Sequence, residues 1–333
     1  MIANLISAAA ACLLMLAFMP RFLRMLKQRR MGQTIYNLGP QAHLSKQGTP
    51  NMGGVLIGLI TSAVALIADI VLCAVGKAGP FFSWKNPIFL VLVTALGSMA
   101  IGFADDYTKD MKHQHEGLNP KQKLAGQLVL GIAVSVWSYF VKGSAIALPL
   151  TENTWDLGIF YIPLMTLTLM FIVNSTNLQD GVDGILSSVT AVGMLCFGLI
   201  FTYGRQSLRD PILAAFAFAL LGSCLGFLRF NFHPAQIFMG DTGSMFIGGS
   251  MMGLALASGM ELWLILIAFT SIMSSVTVMI QRVYFKLTHG KRLFKMTPIH
   301  HTFELMGMKE EQIVGMYSLV TLVLCVIAYL LAA

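Results

Sequence analysis

Apolar runs of about 18 residues or more recur along this chain, each long enough to cross the roughly 30 Å hydrocarbon core of a bilayer as a helix. Ten can be read, over 2–23, 52–76, 87–104, 123–142, 157–174, 184–203, 211–228, 243–259, 262–286 and 312–332. Only Met260-Glu261 and their immediate neighbours separate the eighth from the ninth. Backbone in lipid must satisfy its own hydrogen bonds, so such runs fold as helices. With 56% hydrophobic and 11% charged residues, no stretch remains for a separate soluble domain. The expectation is an all-α polytopic membrane protein of about ten transmembrane helices, one integral-membrane domain over 1–333.

Basic residues orient the bundle. No basic segment precedes the first run, whereas Arg21, Arg24, Lys27, Arg29 and Arg30 follow it. That order fits a retained helix with its N-terminus outside. Of the 22 Lys and Arg, 17 then fall on the inner side and 5 (Lys77, Lys85, Lys142, Arg205, Arg209) on the outer. The positive-inside rule makes the richer side cytoplasmic, and an even number of spans puts both termini outside. Trp84, Trp137, Trp155 and Trp263 fall near outer ends, as an aromatic belt would place them. The net charge of +7 therefore describes a face that meets anionic headgroups, not a nucleic-acid surface. The five cysteines lie within predicted spans without metal-type spacing and read as small apolar residues.

On this topology all seven histidines fall in the five cytoplasmic loops, and so do five aspartates at helix ends: Asp105, Asp106, Asp180, Asp183 and Asp241. Carboxylates at the mouths of membrane helices are costly to keep and mark function by default. Their clustering on one side implies one cytoplasmic site for a divalent metal and phosphates.

Five segments carry the chemistry. Lys46 to Gly54 ends in Asn51-Met52-Gly53-Gly54, which serves either close helix packing or anion binding through free N–H groups. Asp105-Asp106 closes the third span, where adjacent carboxylates repel and oppose the helix dipole unless a cation or donor intervenes. Lys121 and Lys123, opening the fourth span, are either topology charges or phosphate contacts. In Asn177-Leu178-Gln179-Asp180-Gly181-Val182-Asp183-Gly184 the two acids face the same way if the segment turns helically, and the loop holds no Lys or Arg to pair with them. Asp241, in Asn231 to Ser244, either caps the eighth helix or binds metal, with Asn231 available for hydrogen bonding and Phe238 for stacking. His300-His301, in the last loop, suit phosphate contacts better than Mg²⁺ ligation, since Mg²⁺ prefers oxygen.

Together these segments resemble the polyprenyl-phosphate N-acetylhexosamine-1-phosphate transferases, most closely their phospho-N-acetylmuramoyl-pentapeptide transferase branch. The likeness runs the length of the chain: Gly48 to Gly54, Asp105-Asp106, Asn177 to Gly184, Pro234 to Ser244 and Pro298 to Glu304, in order on one face. Two positions depart from the family pattern: Asn51 where Thr is usual, and Thr302 where a third His is usual.

The resemblance implies a bacterial plasma-membrane enzyme that joins UDP-N-acetylmuramoyl-pentapeptide to undecaprenyl phosphate with Mg²⁺, releasing UMP, and that pairs as a homodimer in the bilayer. It implies Asp241 as the Mg²⁺ ligand, Asp105 as base or electrostatic organiser of the lipid phosphate, and Asp106 in support. Asn177, Asp180, Gly181, Asp183, Asn231 and Phe238 would surround the uridine and diphosphate, with Lys121, His300 and His301 on phosphates. Direct attack by the lipid phosphate and a covalent phospho-enzyme route stay open. A sister enzyme using UDP-N-acetylglucosamine is the nearest rival. An anion or nucleotide-sugar transporter would hold its acids near the bilayer midplane, and a scaffold would leave the acids unexplained.

Overall fold

The computed structural model describes residues 1–28, 46, 48–112, 117–151 and 153–333, the side chains of 110–112 excepted. His43, His113 and His115 lie outside the described residues. The long helices are α1 (Ile2–Gln28), α2 (Gly54–Ala74), α3 (Pro87–Lys112), α4 (Pro120–Lys142), α5 (Tyr161–Gln179), α6 (Ile185–Tyr203), α7 (Pro211–Asn231), α8 (Gly240–Ser258), α10 (Phe269–Leu287) and α12 (Glu310–Leu330). Two short helices, α9 (Leu264–Ile267) and α11 (Ile299–Leu305), and a β1–β2 hairpin (Ala145–Ala147, Thr154–Asp156) complete the chain. Among the described residues eight helices are long and apolar enough to cross a membrane, and a ninth candidate is the bent pair α9–α10. The all-α polytopic architecture is as the apolar runs imply.

Of the ten expected spans, α8 falls outside that set. Its glycines and serines dilute the hydropathy, yet nearly every residue from Thr242 to Leu256 is buried. A helix packed on all sides by other helices has no lipid to face, so small residues serve it better than large apolar ones. At Gly249 a Cβ would lie 2.6 Å from the Thr94 carbonyl oxygen of α3, and at Gly248 one would lie 2.7 Å from Val173 Cα of α5. α8 is the pillar of the bundle, and its N-terminus is where the acids gather.

The expected span over 262–286 is broken. α9 and α10 meet at 82° across Ala268. The cause is visible on α10, whose buried face is polar: Ser275 receives a hydrogen bond from Ser175 of α5 at 2.8 Å, and Ser271 donates to Gln179 at the end of α5. Thr270 meets Thr321 of α12 at 3.2 Å. These bonds lead α10 across α5, while Met279, Ile280, Val283 and Leu287 remain exposed on its other face.

Both ends of the chain lie at one end of the bundle. Asn4 donates to Thr202 at the end of α6 (2.9 Å), and the Arg205 N–H donates to Ala332 (2.7 Å). The hairpin covers the same end, with the Ala147 N–H on the Gly259 carbonyl just past α8. Trp263 is not on a lipid-facing belt here: it is buried, its indole N–H on the Ala328 carbonyl. All five cysteines are free thiols. The opposite end gathers the last turns of α3, α5 and α7 and the first turns of α4, α6, α8 and α12.

Candidate active site

α3 does not stop at Asp105-Asp106; it runs on to Lys112. The acid pair therefore lies within the helix, and the dipole that matters is another helix's. Asp106 is buried with Oδ2 accepting from the Thr242 N–H (2.8 Å) and hydroxyl (2.7 Å), and Oδ1 from the Asp241 N–H (3.2 Å). The first N–H groups of a helix lack intrahelical partners and carry its positive end, so a carboxylate aimed there is doubly favoured. Asn51 adds a bond from Nδ2 to Asp106 Oδ1 (3.3 Å). Gly240, with φ 71°, makes this approach possible: a Cβ there would lie 2.5 Å from Asp106 Oδ2.

Asp241, the first acidic residue of α8, faces the other way, into a ring of charges. Its Oδ2 lies 2.8 Å from Lys123 Nζ and 3.0 Å from Lys109 Nζ, and its Oδ1 accepts from Asn177 Nδ2 at 2.7 Å. Asp105 completes the ring with Oδ2 at 2.6 Å from Lys109 and 3.7 Å from Lys123, and Oδ1 on the Leu118 N–H at 2.8 Å. Lys109 follows Asp105 by four residues on α3 and so shares its face. Lys123 is placed by a capping box on α4, in which Asn119 accepts the Lys121 N–H and Gln122 accepts the Asn119 N–H. The same turn leaves Lys121 exposed.

Asp180 and Asp183 do not share a face. α5 ends at Gln179, the Gly181 N–H closes a tight turn on the Gln179 carbonyl, and Gly184 is left-handed with φ 78°. The two acids diverge as a result. The Asp180 carboxyl accepts no hydrogen bond among the described residues. Burial first, then the nearby Asp241, Asp106 and Asp183, push it up to about 8.

Asp183 is compensated after all, by a lysine distant in sequence. Lys46 Nζ lies 2.7 Å from both Asp183 Oδ1 and Glu310 Oε2. Asp183 Oδ2 meets His233 Nδ1 (3.1 Å) and accepts the Ala235 N–H (3.0 Å), while the Asp183 N–H donates to Glu310. Asp183, His233 and Glu310 have their ligand atoms within 4.8 Å of one another, as a metal group would. The cation beside them is the Lys46 ammonium.

The histidines approach the turn after α5. His300 is buried and its ring meets His301 edge-on, centroids 4.3 Å apart. His301 Nδ1 lies 2.5 Å from Glu304 Oε2. A Cβ on Gly181 would fall 2.6 Å from His300 Nε2 and 2.9 Å from His301 Nε2. Thr302 accepts the Met296 N–H and donates to the Met296 carbonyl, closing the loop ahead of the pair.

Asn231 is buried, its amide donating to the Ile237 carbonyl (3.0 Å) and its oxygen accepting from Ser187 (3.2 Å), so the side chain is engaged in the α7–α8 loop. Phe238 is half-buried, its backbone bonded to Pro50 and Gly53. The structure thus brings Asp105, Asp106, Asn177 and Asp241 together at the α8 N-terminus. Asp180, Gly181, His300 and His301 lie beside the turn, Asp183 in the Lys46 cluster, and Lys121 apart. Lys109 is the residue the sequence reading passed over; its spacing of four from Asp105 was the available signal.

Comparison with known proteins places the chain in a family. The family profile described as glycosyl transferase family 4 matches residues 88–259, from α3 to the end of α8. The chain is similar to the phospho-N-acetylmuramoyl-pentapeptide-transferase of Thermoanaerobacter sp. (strain X514), 38% identical over 319 residues, covering 96% of this chain and 95% of that one. Its likeness to the protein of the same name from Desulfitobacterium hafniense (strain DSM 10664 / DCB-2) is 36% over 340 residues, 98% and 97%. For that of Bacillus pumilus (strain SAFR-032) it is 37% over 309 residues, 92% and 91%. At this identity over nearly the whole length of both chains, the protein is a bacterial multi-pass membrane enzyme belonging to the phospho-N-acetylmuramoyl-pentapeptide transferase family.

Proposed function

We propose that the protein transfers phospho-N-acetylmuramoyl-pentapeptide from UDP-N-acetylmuramoyl-pentapeptide to undecaprenyl phosphate, giving UMP and undecaprenyl-diphospho-N-acetylmuramoyl-pentapeptide (lipid I). The reaction is Mg²⁺-dependent and runs on the cytoplasmic face of the plasma membrane. The observation that carries this reading is the ring of Asp105, Asp241, Lys109 and Lys123 at the α8 N-terminus. It lies at the lysine-rich end of the bundle, where a soluble nucleotide and a membrane-confined phosphate can meet. The names of the relatives support the choice of donor.

The residues present fit a divalent ion. Asp241 offers carboxylate oxygen, the hard donor Mg²⁺ takes, with the Asp105 carboxylate in the same ring. The Asp180 carboxyl, pushed up to about 8 by burial and its acidic neighbours, would ionise beside a bound cation and add its charge there. Asp241 would hold the ion, and Mg²⁺ there would neutralise diphosphate charge and stabilise the leaving UMP.

The chain's own residues account for the rest. Lys109 and Lys123 supply positive charge for the phosphates, lowering the cost of bringing two anions together. Asp105, fixed through Oδ1 by the Leu118 N–H, orients the lipid phosphate oxygen for in-line attack on the phosphorus that bears the sugar. A P–O bond forms to that phosphorus while its bond to UMP breaks, the electron pair leaving with UMP. Asp106 keeps Asp241 in place by fixing the turn that carries it. His300 and His301 face the adjoining turn as phosphate contacts, and Asp180, Asp183, Asn231 and Phe238 frame the nucleotide side.

The test is UMP release by the detergent-purified protein with undecaprenyl phosphate and Mg²⁺. UDP-N-acetylmuramoyl-pentapeptide and UDP-N-acetylglucosamine are offered in parallel. Release with the pentapeptide donor alone, lost on chelation and in Asp241→Asn, is the expected result. Release with the second donor alone moves the protein to the sister reaction, and transport of nucleotide into vesicles without UMP release overturns the transferase reading.

A further inference from the structure

The oxygens of the carboxylate ring divide into two kinds. The Oδ1 atoms are held by neutral donors fixed in the fold: the Leu118 N–H on Asp105, and on Asp241 the Asn177 amide, itself anchored by a bond to Ser244 at 2.9 Å. The Oδ2 atoms are held by ammonium groups on long flexible stems, with Lys109 at 2.6 and 3.0 Å and Lys123 at 3.7 and 2.8 Å from Asp105 and Asp241. Both lysine side chains keep part of their surface open, 31% and 16%, so each has space to swing into. The atom of Asp241 that would receive a cation is therefore the one its lysines cover.

Charge counting gives this arrangement a consequence. Two carboxylates and two ammoniums sum to zero. A divalent ion added alone would leave the ring at plus two, and a nucleoside diphosphate bridge added alone would leave it at minus two. In a half-buried site either imbalance is strongly disfavoured. Added together, they restore neutrality.

We propose that Lys109 and Lys123 are exchangeable counter-ions, which leave the Oδ2 atoms of Asp105 and Asp241 for the nucleotide's diphosphate as a divalent cation takes their place. Cation and nucleotide then bind as a coupled pair, each weak without the other. The proposal rests on Asp241 as the cation ligand. Coupling of this kind is reciprocal: the factor by which nucleotide strengthens the cation equals the factor by which cation strengthens the nucleotide.

The experiment uses Mn²⁺ as the cation and UDP as the nucleotide, on the full chain purified in detergent, with bound Mn²⁺ read by electron paramagnetic resonance. The Mn²⁺–UDP complex in solution is subtracted. In the wild type UDP should raise Mn²⁺ affinity by about tenfold or more, within the usual range of coupling between sites. Lys109→Gln and Lys123→Gln, each checked by thermal unfolding, should bind Mn²⁺ more tightly than wild type without UDP and lose most of the gain on adding it. Lys123→Arg, which keeps the charge, should retain the wild-type pattern.

Mn²⁺ affinity that ignores UDP in the wild type, or that both glutamine variants leave unchanged, overturns the exchange. Asp241→Asn separates the two levels. Wild-type Mn²⁺ binding in that variant refutes the ligand assignment itself. Lost binding there, together with no UDP effect in the wild type, leaves Asp241 as the ligand and refutes only the lysine exchange.

Discussion

Asp106 of α3 acts as the N-terminal cap of α8, its Oδ2 held 2.8 Å from the Thr242 nitrogen and 2.7 Å from the Thr242 hydroxyl. A residue 135 positions earlier in the chain thus sets the helix end from which Asp241 projects. The adjacent carboxylates of the pair have separate tasks: Asp106 faces a helix dipole, and Asp105 faces the lysines.

Asp106→Ala should cost about 2 kcal/mol, since it removes a cap and leaves buried N–H groups unsatisfied. Asp106→Asn keeps an acceptor for Thr242 and should cost about half as much. Thermal unfolding of the detergent-solubilised variants should order them wild type, Asn, Ala. Activity should fall steeply in both, because Asp241 moves with the helix end. An Asn variant as stable and as active as wild type would remove Asp106 from the site's support.

Gly181 is the contact between the turn after α5 and the histidine pair. A methyl group there would meet His300 Nε2 at 2.6 Å and His301 Nε2 at 2.9 Å, closer than real Cβ contacts come. Gly181→Ala should therefore displace one or both rings. Its effect should fall on turnover, about tenfold or more, an amount that 1.4 kcal/mol of misplacement produces. The melting temperature should move little. Unchanged steady-state kinetics would mean that the rings can give way without consequence.

The acids and their glycines were legible in the sequence because each cluster is contiguous, and hydrocarbon on both sides makes a carboxylate conspicuous. Their partners were not. Lys46 pairs with Asp183 across 137 positions and Lys123 with Asp241 across 118; in the sequence Lys46 is one more inside charge, and Lys123 is a topology charge or a phosphate contact, with nothing to link either to its acid. The bend at Ala268 carries no proline or glycine, so hydropathy over 262–286 cannot distinguish a straight span from a broken one. Asn231 reads in the sequence as available for hydrogen bonding, and packing gives it the Ile237 carbonyl and the Ser187 hydroxyl. The run over 243–259 reads as one more lipid-crossing span, whereas its glycines mark the centre of the bundle.

Asp180 gives the folded protein a dependence on pH whose sign is fixed. Its carboxyl is pushed up to about 8 in the fold, against roughly 3.9 in an unfolded chain. Between those values the folded state binds the extra proton, so stability falls as pH rises through about 4 to 8 and the loss is complete above 8. A divalent cation nearby reverses the penalty on the ionised form. In EDTA, the wild type should lose melting temperature from pH 5.5 to 8.5 relative to Asp180→Asn, and Mg²⁺ should narrow the gap at the upper end. Parallel curves for the two proteins would show that this carboxyl ionises without strain.

The Lys46 cluster is a clasp between four segments, and its energetics can be read from unfolding alone. Lys46 Nζ lies 2.7 Å from Asp183 and 2.7 Å from Glu310, so Lys46→Met leaves two carboxylates facing each other with no cation between them. Removing one member of a buried ionic group costs about 3 kcal/mol or more. Glu310→Gln alone should cost less, because the amide still offers an oxygen to the Asp183 N–H. In the double variant the repulsion is gone, so its loss should be smaller than the sum of the two single losses. A double-mutant cycle on thermal unfolding reads that difference directly. Strict additivity would mean that Lys46 bonds to each acid independently and that the cluster does not act as a unit.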